Sequence, residues 1–273
     1  MESSCYTYNL KTFDEGLFDR STDATYIIHL EGNGLYDSIM NQLEKYHPTK
    51  LVYIVFNKGY KKCKKNLKVE IPKYDLIDAF LNAFKHAKQH GYNNILILED
   101  DFMFSELVLD PVVTSRVNSF VKDRGDASFI YLLGSLPFFQ VSYDNYHSFA
   151  LFTGGMHSVI YSKKFIEDTL KRDQNTINDW DLDSNFQIHS RRYTYYKPLC
   201  HQTFPLTENR KTWFESSLFL LIIDYILKMF GLNKNVEPGY TIFNIISKFL
   251  LFISFIFIAY LVAYLYRKYC KYQ

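Results

Sequence analysis

Near the C-terminus, residues 249–266 read FLLFISFIFIAYLVAYLY, and this uncharged run limits the possible folds more than any other feature. Lys248 precedes the run, and Arg267 and Lys268 follow it. About 18 apolar residues are near the length needed to cross ~30 Å of hydrocarbon, and the flanking cations suit the interfaces. We therefore expect residues 241–273 to form a single-pass transmembrane anchor with a basic tail. The alternative is a buried core helix.

The segment before this run has a different character. Residues 216–232 read SSLFLLIIDYILKMFGL, in which Asp224 and Lys228 stand four apart and can pair on one face of a helix. We expect an interfacial or core-docked amphipathic helix and a linker within residues 215–240. The segment NKNVEPG, residues 233–239, separates the two helices. A helical hairpin with both ends in the cytosol is the alternative topology.

Charge and cysteine content exclude several classes of protein. The net charge is +2, whereas a nucleic-acid-binding protein normally has a strongly basic face, so no nucleic-acid partner is expected. Cys5, Cys63, Cys200 and Cys270 are scattered and form no CxxC pair, so neither a zinc site nor a disulfide framework is expected. The first residues do not resemble a secretory signal, and no Asn-x-Ser/Thr sequence occurs. These features favour a location of the soluble domain on the cytosolic side of the membrane.

Residues 1–214 alternate apolar runs with helical patterns, as a βαβ protein does. In chain order the predicted elements are strand 25–30, helix 35–46, strand 51–56, helix 74–90, strand 95–98, strand 129–133, strand 157–161 and a helix capped by Ser162 that ends near residue 171. The lysine-rich residues 61–65 are expected to form a solvated loop. The pattern predicts an α/β domain with a Rossmann-like, mostly parallel sheet flanked by helices.

Three acidic residues follow the most apolar of these strands. Residues 95–98, ILIL, end abruptly at Glu99, Asp100 and Asp101. In open α/β sheets, ligands bind beyond the carboxyl ends of the strands. Adjacent like charges there need a neutralising partner, and a divalent cation with oxygen ligands supplies one. Glu99 and Asp101 would point to one side and Asp100 to the other. The alternative is a capped turn with solvated acids.

A second acidic group is formed by Asp179, Asp181 and Asp183. One of these carboxylates can serve as a general base toward a hydroxyl group. Alternatively, the three acids stabilise the N-terminus of a helix through its dipole.

Two further features are less specific indications of a functional site. His201 ends an apolar segment and can return a ligand to a metal site built elsewhere, although a single histidine is more often structural. Gly154 and Gly155 allow backbone to approach a sugar or phosphate closely, and they equally suit a simple turn.

In this order, the segments resemble glycosyltransferase family 25, the lipooligosaccharide and collagen galactosyltransferase group, and related viral and bacterial GT-A enzymes. The resemblance covers about residues 26–204 and rests most on LEDD after an apolar strand. The segments that carry it are YIIHLEGN, DLIDAFLNAFKHAKQHGYNNILILEDDF, FIYLLGS, FTGGMHSVIYSKKFIEDTL and DWDLDSNFQIHSRRYTYYKPLCHQTF.

The resemblance implies a GT-A fold, a nucleotide-diphosphate sugar donor such as a UDP-sugar, and a divalent metal, Mn²⁺ or Mg²⁺. The acceptor is expected to be a glycan, a lipid-linked sugar or a protein. The implied metal ligands are Glu99, Asp101 and His201, and the implied catalytic base is Asp181 or Asp183. The implied donor-binding residues are His29, Glu31, Asp100, Gly154 and Gly155.

Two other functions remain alternatives at this point. The acids of residues 99–101 also suit a metal-dependent phosphoryl transferase or hydrolase. The chain departs from the family after the first strand, where Gly34, Leu35 and Tyr36 replace an arginine-bearing segment. A catalytically inactive GT-A-like scaffold or glycan-binding protein on a membrane is therefore the second alternative.

Overall fold

The computed structural model describes residues 5–181, 190–203, 218–232 and 237–270. The strands are β1 (Tyr6–Thr12), β2 (Ala24–Leu30), β3 (Leu51–Asn57), β4 (Asn94–Glu99), β5 (Phe102–Phe104), β6 (Phe129–Ser142), β7 (His147–Ser162), β8 (Arg191–Tyr195) and β9 (Cys200–Gln202). The helices are α1 (Tyr36–Lys45), α2 (Pro72–Gln89), α3 (Pro111–Lys122), α4 (Lys163–Lys171), α5 (Leu218–Met229) and α6 (Gly239–Cys270). Short 3₁₀ turns lie at Glu106–Leu109 and Gln174–Thr176.

Seven strands form one sheet in the order β1-β3-β2-β4-β7-β6-β8, and β5 pairs with β9 in a small second sheet. The strands β3, β2 and β4 run parallel, whereas β7 runs antiparallel to β4 and to β6. The α/β class is confirmed. The sheet as a whole is mixed, because β1 and the long β6–β7 hairpin add antiparallel pairs to the parallel centre.

The central strand β4 contributes to two hydrophobic layers. Ile95 and Ile97 pack into one layer, and Leu96 and Leu98 pack into the other, since successive side chains point to opposite faces. Helices α2 and α4 cover the first face, and α1 and α3 cover the second. All four side chains are at most 1 % exposed, and each stabilises the fold by about 1.5–3 kcal/mol through burial. This burial fixes where the strand stops and where the acids begin.

Local signals in the sequence account for the helix ends. Pro72 occupies the first turn of α2, where the missing N–H costs nothing, and Gly91 follows the helix at φ +73°. The Ser162 hydroxyl accepts a hydrogen bond from the N–H of Phe165, so the predicted cap of α4 is confirmed.

Contrary to the expectation of no disulfide framework, Cys5 and Cys63 form a disulfide with their Cα atoms 5.6 Å apart. They are 58 residues apart in sequence, and the pairing of β1 with β3 brings Cys5 beside the loop that follows β3. The sequence pattern did not reveal β1, whose residues YTYNLKT mix polar and apolar types as an edge strand does.

The lysine-rich loop is also less solvated than predicted, because the Lys65 side chain is only 3 % exposed. Its ammonium lies 2.6 Å from Asp75 Oδ1, 2.6 Å from Asn57 Oδ1 and 2.7 Å from the Tyr6 hydroxyl. A buried lysine needs such partners because removing an ammonium from water is costly. The disulfide and this ion pair together hold the loop against β1 and α2.

Helix α6 is long and apolar enough to span a membrane, over Gly239–Tyr269. Only 6 % of its most apolar stretch is buried in the protein, so α6 is not a core helix. Helix α5 has 12 residues in the described part of the chain, over which it rises about 18 Å.

Candidate active site

Four chain segments meet at the carboxyl end of β4. The acids of residues 99–101 connect β4 to β5, and β9 pairs with β5 so that Gln202 lies opposite Phe102. Strand β7 runs antiparallel to β4 with Ser158 opposite Leu98, so the residues just before Ser158 lie beyond the end of β4. The segment containing Asp181 contacts β7 at this point. The sheet topology therefore brings together residues that are far apart in sequence.

Glu99 and Asp101 face the same amide group. Gln202 Nε2 donates to Asp101 Oδ1 at 3.1 Å and lies 3.4 Å from Glu99 Oε2. Burial raises the pKa of Glu99 well above its ordinary value, and the charges of Asp101, Asp181 and Asp100 raise it further. A raised pKa means that this buried carboxyl would need a nearby cation or further hydrogen-bond donors to stay ionised at neutral pH.

Asp181 is held by the backbone of β7. The N–H of Gly155 donates to Asp181 Oδ2 at 2.7 Å, and the N–H of Met156 donates to Oδ1 at 3.3 Å. Gly155 has φ +73°, a conformation that side chains other than glycine rarely adopt. Burial, followed by the charge of Asp179, raises the pKa of Asp181 to about 6, and the two backbone N–H groups oppose this shift. Gly155, with Gly154 before it in β7, thus lies beside Asp181, and the predicted role of both glycines in donor binding stays a prediction.

Trp180 anchors this segment in the core. Its indole N–H donates to the Tyr161 hydroxyl at 2.9 Å, and its ring packs against Phe80 with centroids 4.9 Å apart. The neighbouring Asp181 is therefore positioned by the core on one side and by β7 on the other. The other predicted base, Asp183, lies outside the described residues.

Asp100 lies in the turn between β4 and β5 and contacts the end of β2 and the loop that follows it. Its Oδ2 accepts hydrogen bonds from the N–H of Leu30, at 3.1 Å, and from the Asn33 amide, and lies 3.3 Å from His29 Nδ1. The structure therefore gives Asp100 and His29 a role in joining β4 to the loop after β2.

The loop after β2 contains Glu31, whose N–H donates to the Asn57 carbonyl at 2.8 Å. A Cβ placed on Gly32 in the same loop would lie 3.6 Å from the Lys62 ammonium. The lysine-rich loop therefore brings a positive charge to the edge of the site.

His157 is a site residue that the sequence analysis missed. It is 4 % exposed, and burial, followed by the charge of His201, lowers its pKa to about 3. Backbone groups of Gly155 and Cys200 lie close enough to oppose this shift, but among the described residues neither ring nitrogen has a hydrogen-bond partner of ordinary geometry. Burial also lowers the pKa of His201. Both rings are neutral at physiological pH, the form in which histidine binds metals.

Two carboxylates suit a hard divalent cation whose remaining ligands come from a diphosphate. In the described ranges, His, Cys, Asp and Glu side chains form no group of three close enough to hold a metal alone. The Gln202 amide N–H group lies between Glu99 and Asp101, and His201 precedes Gln202 in β9. The oxygen donors of the two carboxylates fit such a metal, which would be held by Glu99 and Asp101.

The chain matches no protein-family model and no curated protein sequence. The resemblance to glycosyltransferase family 25 therefore stays a prediction based on the motifs quoted above.

Proposed function

We propose that this chain is a metal-dependent glycosyltransferase of GT-A type, which transfers a sugar from a nucleotide-diphosphate donor to an acceptor hydroxyl. The observation that carries this proposal is the convergence of Glu99, Asp101 and Asp181 at the carboxyl end of β4, where burial raises the pKa values of Glu99 and Asp181. Such perturbed groups at the ligand-binding edge of an α/β sheet are typical of a functional site.

Asp181 is the proposed general base. A carboxylate with a pKa of about 6 is ionised at neutral pH and is basic enough to accept a proton from a hydroxyl as that hydroxyl attacks. The N–H groups of Gly155 and Met156 fix the orientation of its carboxylate, so little reorganisation is needed at the moment of proton transfer.

Glu99 and Asp101 are the proposed metal ligands, with Gln202 fixing their separation. A bound Mn²⁺ or Mg²⁺ would stabilise the charge that develops on the leaving nucleotide diphosphate. His29 and Asp100 hold the loop after β2, and Lys62 adds positive charge beside that loop. These contacts support the loop as the donor-binding side of the site.

The proposed enzyme is anchored in a membrane through α6, whose exposed apolar surface supports a single pass. The Cys5–Cys63 disulfide favours an oxidising compartment for the domain, because cytosolic thiols are normally kept reduced. This observation opposes the predicted cytosolic orientation. The acceptor is a glycan, lipid-linked sugar or protein that reaches the membrane surface.

Donor hydrolysis tests the proposal directly. The full chain in detergent is incubated with UDP-, GDP- and CMP-sugars and Mn²⁺, and released nucleotide is measured. Release from one donor, abolished by EDTA and by Asp101→Asn but retained by the exposed control Asp126→Asn, is the expected result.

The opposite result is equally informative. If no donor is hydrolysed and no nucleotide binds in a metal-dependent manner by calorimetry, the transferase is rejected in favour of an inactive membrane scaffold. Phosphatase activity without a sugar donor would instead identify a metal-dependent hydrolase that uses Glu99 and Asp101.

A further inference from the structure

Helix α6 is divided into a docked part and a free part. In its first turns Tyr240, Phe243 and Ser247 are buried, at 3 %, 8 % and 4 % exposure. Their spacing of three and four residues places them on one face of the helix. From residue 252 to residue 269 every residue is exposed. The domain thus contacts the first turns of α6, and the rest of the helix is exposed.

Specific contacts join the docked part to strand β6. The Phe243 ring lies 5.8 Å from the Phe138 ring, and Gln140 Nε2 donates to Asn244 Oδ1 at 2.6 Å. The Ser247 hydroxyl donates to the Phe138 carbonyl. Because Gln140 is only 2 % exposed, its hydrogen bond to Asn244 is shielded from water. These contacts attach the helix firmly to the domain.

The docked part ends where the apolar run begins. Ser247 is followed by Lys248, and the uncharged run starts at Phe249. Two residues of α-helix rise about 3 Å, so the contact between Ser247 and Phe138 lies within one turn of the apolar run. The β6–β7 hairpin is therefore placed beside the start of the proposed membrane span.

Helix α5 has an apolar stripe and lies near the start of α6. Its exposed apolar residues recur at helical spacing: Leu218, Leu221, Ile222, Tyr225 and Met229. The pair of Asp224 and Lys228, 2.6 Å apart, flanks this stripe. Phe230, just after α5, packs against Phe243 of α6 with centroids 5.7 Å apart. The end of α5 thus lies beside the start of the helix that leaves the domain.

We propose that the apolar stripe of α5 lies on the bilayer and that, together with the docked hairpin, it seats the domain directly on the lipid surface. This proposal rests on the membrane crossing by α6 under the proposed function, but it is independent of catalysis. The partner is a phospholipid bilayer, since a stripe of this kind beside a membrane span buries its apolar face at the headgroup boundary.

Leu136 and Gly154 connect the proposed membrane-facing surface to the candidate site. Leu136 packs against Tyr240 of α6 and the neighbouring Leu232, and it lies opposite Gly154 in the β6–β7 register. The next residue, Gly155, donates its N–H to Asp181. These residues therefore connect α6 to Asp181, the proposed base. The fold fixes the distance of Asp181 from the lipid surface.

Fluorescence quenching measures the position of α5. A bimane label is placed on the full chain at Ile222→Cys in a Cys270→Ser background, and the protein is reconstituted in phosphatidylcholine vesicles. We expect lipids brominated on the acyl chains to remove most of the fluorescence and aqueous iodide to have little effect. The matched control, Asp126→Cys at the opposite end of the sheet, should show the reverse pattern.

Either of two results would contradict the proposed position of α5 on the bilayer. One is a label at Ile222 that iodide quenches and brominated lipid does not. The other is a label at Ile222 that neither iodide nor brominated lipid quenches, because a second copy of the chain would then cover the stripe.

Hydrogen exchange tests the rigid attachment separately. Asn244→Leu removes the hydrogen bond from Gln140, and exchange of the β6 amides over residues 136–142 should accelerate by about fivefold. Exchange over residues 129–133, in the centre of the sheet, should not change. If both segments remain unchanged, the helix is not held through this contact and the proposed attachment is wrong.

Discussion

Breaking the Cys5–Cys63 disulfide should lower the free energy of unfolding by about 4 kcal/mol. The bond closes a loop of 58 residues, and such a closure removes about 14 cal/mol/K of entropy from the unfolded chain. A loss of this size lowers Tm by about 8–16 °C in a domain of 150–250 residues. Because the effect acts on the unfolded chain, the folded site should keep its geometry.

The assay is thermal unfolding of the full chain in detergent, followed by intrinsic fluorescence. Three variants are compared with the wild type: Cys5→Ser, Cys63→Ser and the double variant. Each single change already opens the bond, so the double variant should be no less stable than either single one. A reducing agent should bring the wild type to the same Tm and leave the double variant unchanged.

Alkylation followed by mass spectrometry identifies the bonded pair. Cys5 and Cys63 should react only after reduction. Burial raises the pKa of Cys200 to about 12, so this thiol should react only after unfolding. Additive losses in the two single variants, or alkylation of Cys5 without reduction, would refute the disulfide and the loop-closure reasoning with it.

Three further changes probe the buried network, the proposed base and the packing of the site. Lys65→Met should destabilise the fold by about 3–5 kcal/mol, measured by thermal unfolding, because Asp75 is left buried without its cation. The transfer rate kcat, measured against pH, should fall as the pH drops through about 6, since Asp181 is then protonated and cannot accept a proton. Gly134→Ala should cost about 1–3 kcal/mol or more in the same unfolding assay, because its Cβ would lie 1.9 Å from the Cys200 carbonyl oxygen.

Each of these predictions has a matched control. Lys64→Met removes an exposed lysine from the same loop and should change Tm little; an equal loss there would contradict the buried ion pair. Asp181→Asn should eliminate transfer at every pH, and a retained pH profile would assign the base to another group. Gly91→Ala meets no atom within 4 Å and should cost only the strain of its positive φ, about 1–2 kcal/mol.

The predictions made from the sequence were most accurate where the local residue pattern and the burial agree. The strand ending in Glu99 is apolar on both faces, so its place in the sheet centre and the position of the acids at its end follow from periodicity alone. The cap at Ser162 is equally local. Strand β1 was missed, because an edge strand buries little and its pattern YTYNLKT is mixed.

The remaining site residues could not be found from local pattern. His157 and Gln202 enter the site through strand pairings between distant segments. A histidine on a buried strand after two glycines is the only signal that could have suggested His157. The disulfide was missed for the same reason, since the proximity of Cys5 and Cys63 is a product of β1–β3 pairing.

The attachment of α6 to β6 has a mechanical consequence. A helix joined through a flexible linker can tilt in the bilayer while its domain keeps its orientation. Here the proposed attachment through Phe243, Asn244 and Ser247 would make helix and domain move as one body. Transmembrane helices adjust their tilt when the hydrocarbon layer becomes thicker or thinner. If α6 crosses the membrane as proposed, membrane thickness would set the angle at which the carboxylates beyond β4 face the lipid surface, and lipid composition would become a variable that the domain can sense.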